Sequence, residues 1–269
     1  MSKGGITLIT VKDILDCVQQ FAPPYMQESW DRVGLNCGRL SAPVKKVLIA
    51  LDPFTPVCKE AKEWGADLIV THHALIWNAG FVTDESVTGE NTMFLIENGI
   101  AHINAHTNLD CAPGGVNDTL AAVLGLENVQ VIAPKGTDAQ DRPWGLLRQG
   151  TVAPQSLEGF LAHVKNTLGC NGLRYISGGK NVKKVAVGGG GCAGALKQVR
   201  DAGCDTFITA DVHYNHFADA ADWGINLIDA GHFHTENPVC QVLFDLISTN
   251  FPELEVKISE IHTDHTKFF

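Results

Sequence analysis

The chain has 269 residues, 45% hydrophobic and 19% charged, a length that accommodates two modest α/β domains or one large one. Its net charge of −10 and pI near 5.5 disfavour a nucleic-acid backbone or an anionic membrane as principal partner, yet leave room for an anionic small molecule held through metal ions. No apolar run reaches the roughly 18 residues that span a bilayer, and MSKGGITLIT lacks a hydrophobic signal core, so a cytoplasmic protein is expected.

In chain order, Ile14, Leu15, Val18 and Phe21 at helical spacing predict an amphipathic helix over residues 11–21, ended by Pro23-Pro24. Residues 28–38 read as a loop entering a short strand, with Trp30 a core residue and Asp31 a turn residue. Residues 44–52 form a strand candidate, 55–64 the following helix with Gly65 as its C-cap, and 67–70 the next strand. Strand, helix, strand in about 28 residues is a βαβ unit and implies a parallel sheet. A loop is expected over 78–90, a helix over 91–98, a strand over 100–105 and a helix over 119–126. Ser156 is placed to N-cap a helix that ends near Leu168. The tail offers a helix over 238–248 and a strand near 254–261.

A repeat runs through this pattern. Val182-Lys183-Lys184-Val185 repeats Val44-Lys45-Lys46-Val47 at an offset of 138, and at that offset Lys197, Gly203, Asp205 and Thr209 match Lys59, Gly65, Asp67 and Thr71. Further on, Gly224-Ile225 and Ala230 match Gly99-Ile100 and Ala105 at an offset of 125. An internal duplication accounts for this order. The expected architecture is therefore α/β, two similar domains over 1–126 and 127–269 with a di-metal cleft between them.

The strand ends carry the chemistry. Ligands gather outside the carboxyl ends of parallel strands. There the first copy offers Thr71-His72-His73, then His106 and Asp110; the second offers Ala210-Asp211, then His232, His234 and Glu236. His72, His73, Asp110, His232 and Glu236 make three imidazoles and two carboxylates without a thiolate. That set suits Zn, Fe, Mn or Co rather than Cu(I) or an iron–sulfur cluster, and is too rich in nitrogen for Mg or Ca. Five protein ligands fit two divalent ions with open positions, the arrangement that activates a bridging hydroxide. His102, His163, His234, His262 and His265 read as solvated residues, and the eight scattered cysteines as reduced, mostly buried thiols. The loop Gly188-Gly189-Gly190-Gly191 offers either amides for a phosphate or a close backbone approach between domains.

SWDRVGLNCG at 29–38, DLIVTHHALIW at 67–77, AHTNLDCAPGGVND at 105–118 and DAGHFHTE at 229–236 together resemble the Nif-three-like, dinuclear-metal-centre, hexamer-forming family, the GTP cyclohydrolase I type 2 homologues. The likeness extends over nearly the whole chain. Ala74 stands where that family usually has proline, Arg32 where it commonly has asparagine, and Ala210 where a glycine usually precedes the acidic residue; none of these is a ligand position. The resemblance implies that His72, His73, Asp110, His232 and Glu236 are the metal ligands, with Glu236 bridging, in a toroidal homohexamer.

The function expected from these observations is metal-dependent hydrolysis through the bridging hydroxide, either cyclohydrolase-type opening of the GTP ring or attack on another nucleotide or phosphoester. Asp211, His213 and His216 are candidates for proton transfer or, equally, for support of the ligands. The alternatives are a non-catalytic, metal-dependent metabolite-binding or scaffold protein forming a ring, and a protein of metal storage or delivery.

Overall fold

The computed structural model describes residues 8–77 and 80–269. Its Cα packing separates two units. One runs to Leu109 and regains Cys240–His262; the other holds Asp110–Val239 and Thr263–Phe269.

The first unit begins with α1 (Val11–Phe21), β1 (Gly34–Cys37), β2 (Lys46–Ala50) and α2 (Thr55–Trp64). β3 (Leu68–Thr71), α3 (Val87–Glu97) and β4 (Ala101–Asn104) follow, and α4 (Thr107–Cys111) carries the chain into the second unit. There α5 (Val116–Val123), β5 (Glu127–Ile132), β6 (Gly136–Thr137), β7 (Pro143–Trp144) and β8 (Leu147–Gln155) come first. Next are α6 (Leu157–Leu168), β9 (Arg174–Ile176), β10 (Val182–Val187), α7 (Leu196–Asp201), β11 (Thr206–Thr209), α8 (Tyr214–Asp222), β12 (Asn226–Asp229) and α9 (His232–Glu236). α10 (Val239–Asn250) returns the chain to the first unit, where β13 (Glu255–Ile258) ends it. No helix among the described residues is long and apolar enough to cross a membrane.

Local rules account for the main elements. α1 opens on a capping box: Asp13 N donates to the Thr10 hydroxyl, and Asp13 accepts from Thr10 N at 2.8 Å. It buries Val11, Ile14 and Val18 on one stripe. α2 stops at Gly65, whose φ of 77° is the left-handed conformation that glycine adopts without a Cβ clash. α3 starts at Val87, earlier than the expected 91, because the Ser86 side chain accepts from Gly89 N. Residues 78 and 79 of the expected loop lie outside the described residues.

The first sheet has the order β1-β4-β3-β2-β13, with β1 antiparallel and the rest parallel. The second has the order β5-β8-β10-β11-β12-β9, with a parallel core of β10, β11 and β12. In this core, successive residues serve opposite faces: Val185, Val187, Ile208 and Ile228 join one apolar cluster, and Ala186, Phe207 and Leu227 the other. Burial on both faces explains why these strands read as continuous apolar runs.

The pairings recur at the offsets seen in the sequence. Val47 lies opposite Leu68, and Val185 opposite Thr206; each partner is displaced by 138 (185 − 47 and 206 − 68). Leu68 lies opposite Ala101, and Thr206 opposite Asn226; Ala101 and Asn226 differ by 125 (226 − 101). A single carboxylate locks each register. Asp67 Oδ2 accepts from Lys45 N at 2.7 Å and Lys46 N at 3.0 Å, while Asp205 Oδ2 accepts from Lys183 N at 3.1 Å and Lys184 N at 2.7 Å. β13, the tail strand, pairs with β2 by placing Val256 opposite Val47.

Replacing Asp67 or Asp205 with alanine strands two strand-entry amides. Each substitution is expected to lower stability by about 1.5 kcal/mol or more, since hydrogen bonds to a charged acceptor are the stronger class. Urea denaturation checks this; an unchanged midpoint in both variants would show that the carboxylates do not hold the registers.

Candidate metal centre

In the first unit, β3 delivers two histidines to its carboxyl end. His73 N donates to Leu51 O at 3.0 Å, and Ala105 N to Thr71 O at 3.0 Å, so the chains leaving β2, β3 and β4 are tied together at this edge. His72 Nδ1 donates to Ala105 O at 2.9 Å, His73 Nδ1 to Asp52 Oδ1 at 2.6 Å, and His106 Nδ1 to Asp31 Oδ2 at 3.0 Å. A carbonyl or carboxylate oxygen only accepts, so each Nδ1 carries a proton, and in the neutral ring the lone pair falls on Nε2. One ligand nitrogen from each of His72, His73 and His106 lies within 4.8 Å of the others. All three rings are buried.

Asp31 is the anchor of this corner and not an ordinary turn residue. It is buried, and Thr107 N, the Thr107 hydroxyl and His106 all donate to its Oδ2. Burial alone would raise its pKa, but those hydrogen bonds win and hold the carboxyl well below the usual range. Trp30, expected in the core, is instead 65% exposed, because its neighbour Asp31 takes the inward place.

His102, expected to be solvated, is wholly buried on β4, and burial pushes its pKa down to about 3. Its Nε2 lies 2.8 Å from the Thr71 hydroxyl, which donates to His73 O at 2.5 Å. It thus supports the bend that carries the histidine pair.

In the second unit, the ends of β11 and β12 supply the corresponding corner. Asp211 adopts φ 51°, and its Oδ2 accepts from His232 Nδ1 at 2.6 Å. α9 places His232 and Glu236 one turn apart, with His232 Nε2 3.1 Å from Glu236 Oε2. One carboxylate oxygen of Asp110 lies within 4.8 Å of one of Glu236, and both residues are buried. Burial opposes charging of His232, but hydrogen bonds with Asp211 and Glu236 outweigh it and push its pKa up to about 11. The carboxylates thus call for positive charge here. A proton on His232 meets part of that demand, and a divalent cation meets it better.

The glycine loop closes against α9 within this unit. Gly188 N donates to Ile208 O, Gly189 N to Asn117 Oδ1, and Gly190 N to the Thr235 hydroxyl, so three of its amides are engaged by the protein rather than aimed at a phosphate. A Cβ on Gly190 would stand 2.1 Å from Glu236 Oε1 and 3.0 Å from His232 Nε2.

The structure brings His72 and His73 together, and likewise Asp110 and Glu236, and His232 with Glu236 and Asp211. His213 is exposed and His216 half-buried; their rings meet each other at 5.8 Å, and neither joins a donor group among the described residues. His234, expected to be solvated, has Nδ1 on Leu168 O and Nε2 3.2 Å from Asp264 Oδ2. Cys111 is buried, as expected. Sequence reasoning placed His106 at the strand ends but outside the ligand set, and left Asp52 and Asp31 out of the site. Asp52 follows β2 at the same sheet edge as the histidine pair, and that placement was its available signal.

The family model for Duf34/NIF3 (NGG1p interacting factor 3) matches residues 9–266. A Clostridium perfringens protein named GTP cyclohydrolase 1 type 2 homolog is 36% identical over 232 residues, covering 85% of this chain and 87% of its own. Among solved structures, a Bacillus cereus protein related to NIF3 superposes with a TM-score of 0.90 at 25% identity, covering 97% of this chain and 99% of its own. A Staphylococcus aureus protein superposes with a TM-score of 0.89 at 28% identity, with the same coverages.

Two outcomes are expected from this geometry. Hydrogen bonds with Asp211 and Glu236 favour the protonated form of His232, so if His232 lends a ring nitrogen to a divalent ion, uptake should release a proton and affinity should rise with pH. Calorimetry in buffers of different ionisation enthalpy measures that release; uptake without it would remove His232 from the donors. Gly190→Ala should weaken metal retention about tenfold or more by displacing Glu236, read by metal content after dialysis against a chelator.

Proposed function

The chain belongs to the Duf34/NIF3 family, and from that membership and its two donor clusters we propose a divalent-metal-dependent hydrolase-like protein acting on a nucleotide or related small molecule. In this reading His72, His73, Asp110, His232 and Glu236 would hold two divalent ions, of Zn, Fe, Mn or Co. The observation that carries it is the preset donor chemistry. His72, His73 and His232 each have Nδ1 fixed by an oxygen acceptor, and two buried carboxylates lie close together. Such ions lower the pKa of water and stabilise developing negative charge.

The protein's own contribution is orientation. Asp52 fixes His73, Ala105 O fixes His72, and Asp211 fixes His232, so Asp211 is a positioning residue here. His213 and His216 carry no step in this reading. The recurrence of strand registers supports descent of the two units from an internal duplication, and family likeness supports a homohexamer. The name shared by the curated relatives directs the first substrate to try, GTP.

The test is metal analysis of the purified protein, followed by turnover assays on a panel of nucleotides and phosphoesters. Metal content is expected to track activity. His73→Ala and Glu236→Ala should abolish both, and Asp52→Asn should reduce metal affinity or activity about 10- to 100-fold. Unchanged activity in His73→Ala or Glu236→Ala would overturn the hydrolase reading. Tight nucleotide binding without turnover under any metal would favour the binding or scaffold alternative. Light scattering checks assembly, which should give six times the 29.0 kDa protomer mass.

A further inference from the structure

Two tryptophans stand beside the imidazole cluster of the first unit with much of their surface open. Trp30 is 65% exposed and Trp77 46%. Each meets the His106 ring at a steep angle, Trp30 at a centroid distance of 5.8 Å and Trp77 at 4.8 Å, and Trp77 also lies 6.1 Å from the His73 ring.

Neither indole sits on a loose tip. Leu75 N and Ile76 N donate to Asn36 Oδ1 at 2.9 and 3.1 Å, and Asn36 Nδ2 donates to Asn104 Oδ1 at 2.7 Å, which clamps the chain just before Trp77 to β1 and β4. On the other side, Glu28 N donates to the Thr107 hydroxyl at 2.9 Å, Asp31 N to Glu28 O at 3.0 Å, and Thr107 N to Asp31 Oδ2 at 3.0 Å. Trp30 is therefore held between two fixed neighbours. Leaving large indole surfaces in water forgoes burial of the most favourable kind. Two such surfaces, both anchored and both against the same imidazole, form a prepared face for a ligand of matching chemistry.

We propose that Trp30 and Trp77 form a stacking platform that seats a planar heteroaromatic ring of the ligand beside His73 and His106. An indole offers such a ring dispersion and quadrupole contacts at little entropic cost, and stacking tolerates variation in ring substituents. The proposal rests on the metal-dependent reading above and narrows its ligand to a molecule bearing a flat heterocycle, of which a nucleobase is the simplest probe.

The experiment uses the full-length protein loaded with Zn²⁺, its metal content measured by mass spectrometry. GTP, CTP, ribose 5-phosphate and inorganic triphosphate are titrated in by calorimetry and followed by indole fluorescence. The nucleotides should quench the fluorescence and bind more tightly than either ring-free probe. Trp30→Ala and Trp77→Ala should each weaken nucleotide binding about fivefold or more and leave metal content and triphosphate binding unchanged, while Trp77→Phe should keep most of the affinity. Equal nucleotide affinity in wild type and both alanine variants would overturn the platform. So would ring-free probes that bind as tightly as nucleotides, or no nucleotide binding by the metal-loaded protein. Tryptophan-dependent nucleotide binding by a protein that takes up no metal would overturn the metal reading and leave the platform standing.

Discussion

An imidazole can offer a cation only one of its two nitrogens at a time, and occupying the other one decides which is free to do so. His72, His73, His106 and His232 all have Nδ1 held by an oxygen: a backbone carbonyl for the first and the carboxylates of Asp52, Asp31 and Asp211 for the others. The tautomer, the ring plane and the basicity of Nε2 all follow from that one hydrogen bond. The anchors differ in character. Ala105 O is part of the sheet edge and moves only if β4 moves, whereas Asp31 is a buried charge stabilised by four donors, His106 Nδ1, Thr107 N, the Thr107 hydroxyl and Arg32 N.

Those anchors lie where they do because of strand register. Parallel β2, β3 and β4 end together, so residues following three separate strands, Asp52, His72-His73 and His106, meet at one edge. In the second unit, β11 and β12 end in register, with Thr209 opposite Asp229, and Asp211 and His232 follow them by two and three residues. A shift of one residue at Asp67 or Asp205 would turn each side chain after the strand to the other face. The carboxylates that accept the strand-entry amides therefore govern the ligand edge from the far end of the same strands.

Much of this was legible in the sequence, for identifiable reasons. The helix over Val11–Phe21, the helix Thr55–Trp64 with its Gly65 stop and the Ser156 cap obey short-range rules, and the structure has them as read. The repeat offsets carried over into pairing because a register is one-dimensional information. Long-range choices were not legible. That β13 would pair with β2 depends on the return path of α10, and nothing local in residues 255–258 signals it. Burial of His102 and the partnering of half-buried His234 were missed because their partners, Thr71, Leu168 and Asp264, are distant in sequence or not acidic. Trp30 was misplaced for a related reason. A large apolar residue beside a charged one looks like core beside turn, yet here the charged residue is the buried member because it has four side-chain and backbone donors to satisfy it.

Asp211 shows how the glycine loop and the ligand corner constrain each other. A non-glycine residue at φ 51° is strained by about 1 kcal/mol or more unless its surroundings hold it. Its carboxylate gains a hydrogen bond to His232, and that bond lowers the Asp211 pKa, with a positive imidazole adding to the effect. Gly190, also left-handed, permits backbone to come close enough that its amide reaches Thr235 while Glu236 and His232 pass beside it. Substituting a side chain there would push against Glu236 and against the imidazole that Asp211 orients. Strain at one residue and the missing Cβ at another thus serve one end, the fixed approach of an imidazole and a buried carboxylate. A P-loop-like role for the glycines would have required the same amides that the protein has already engaged.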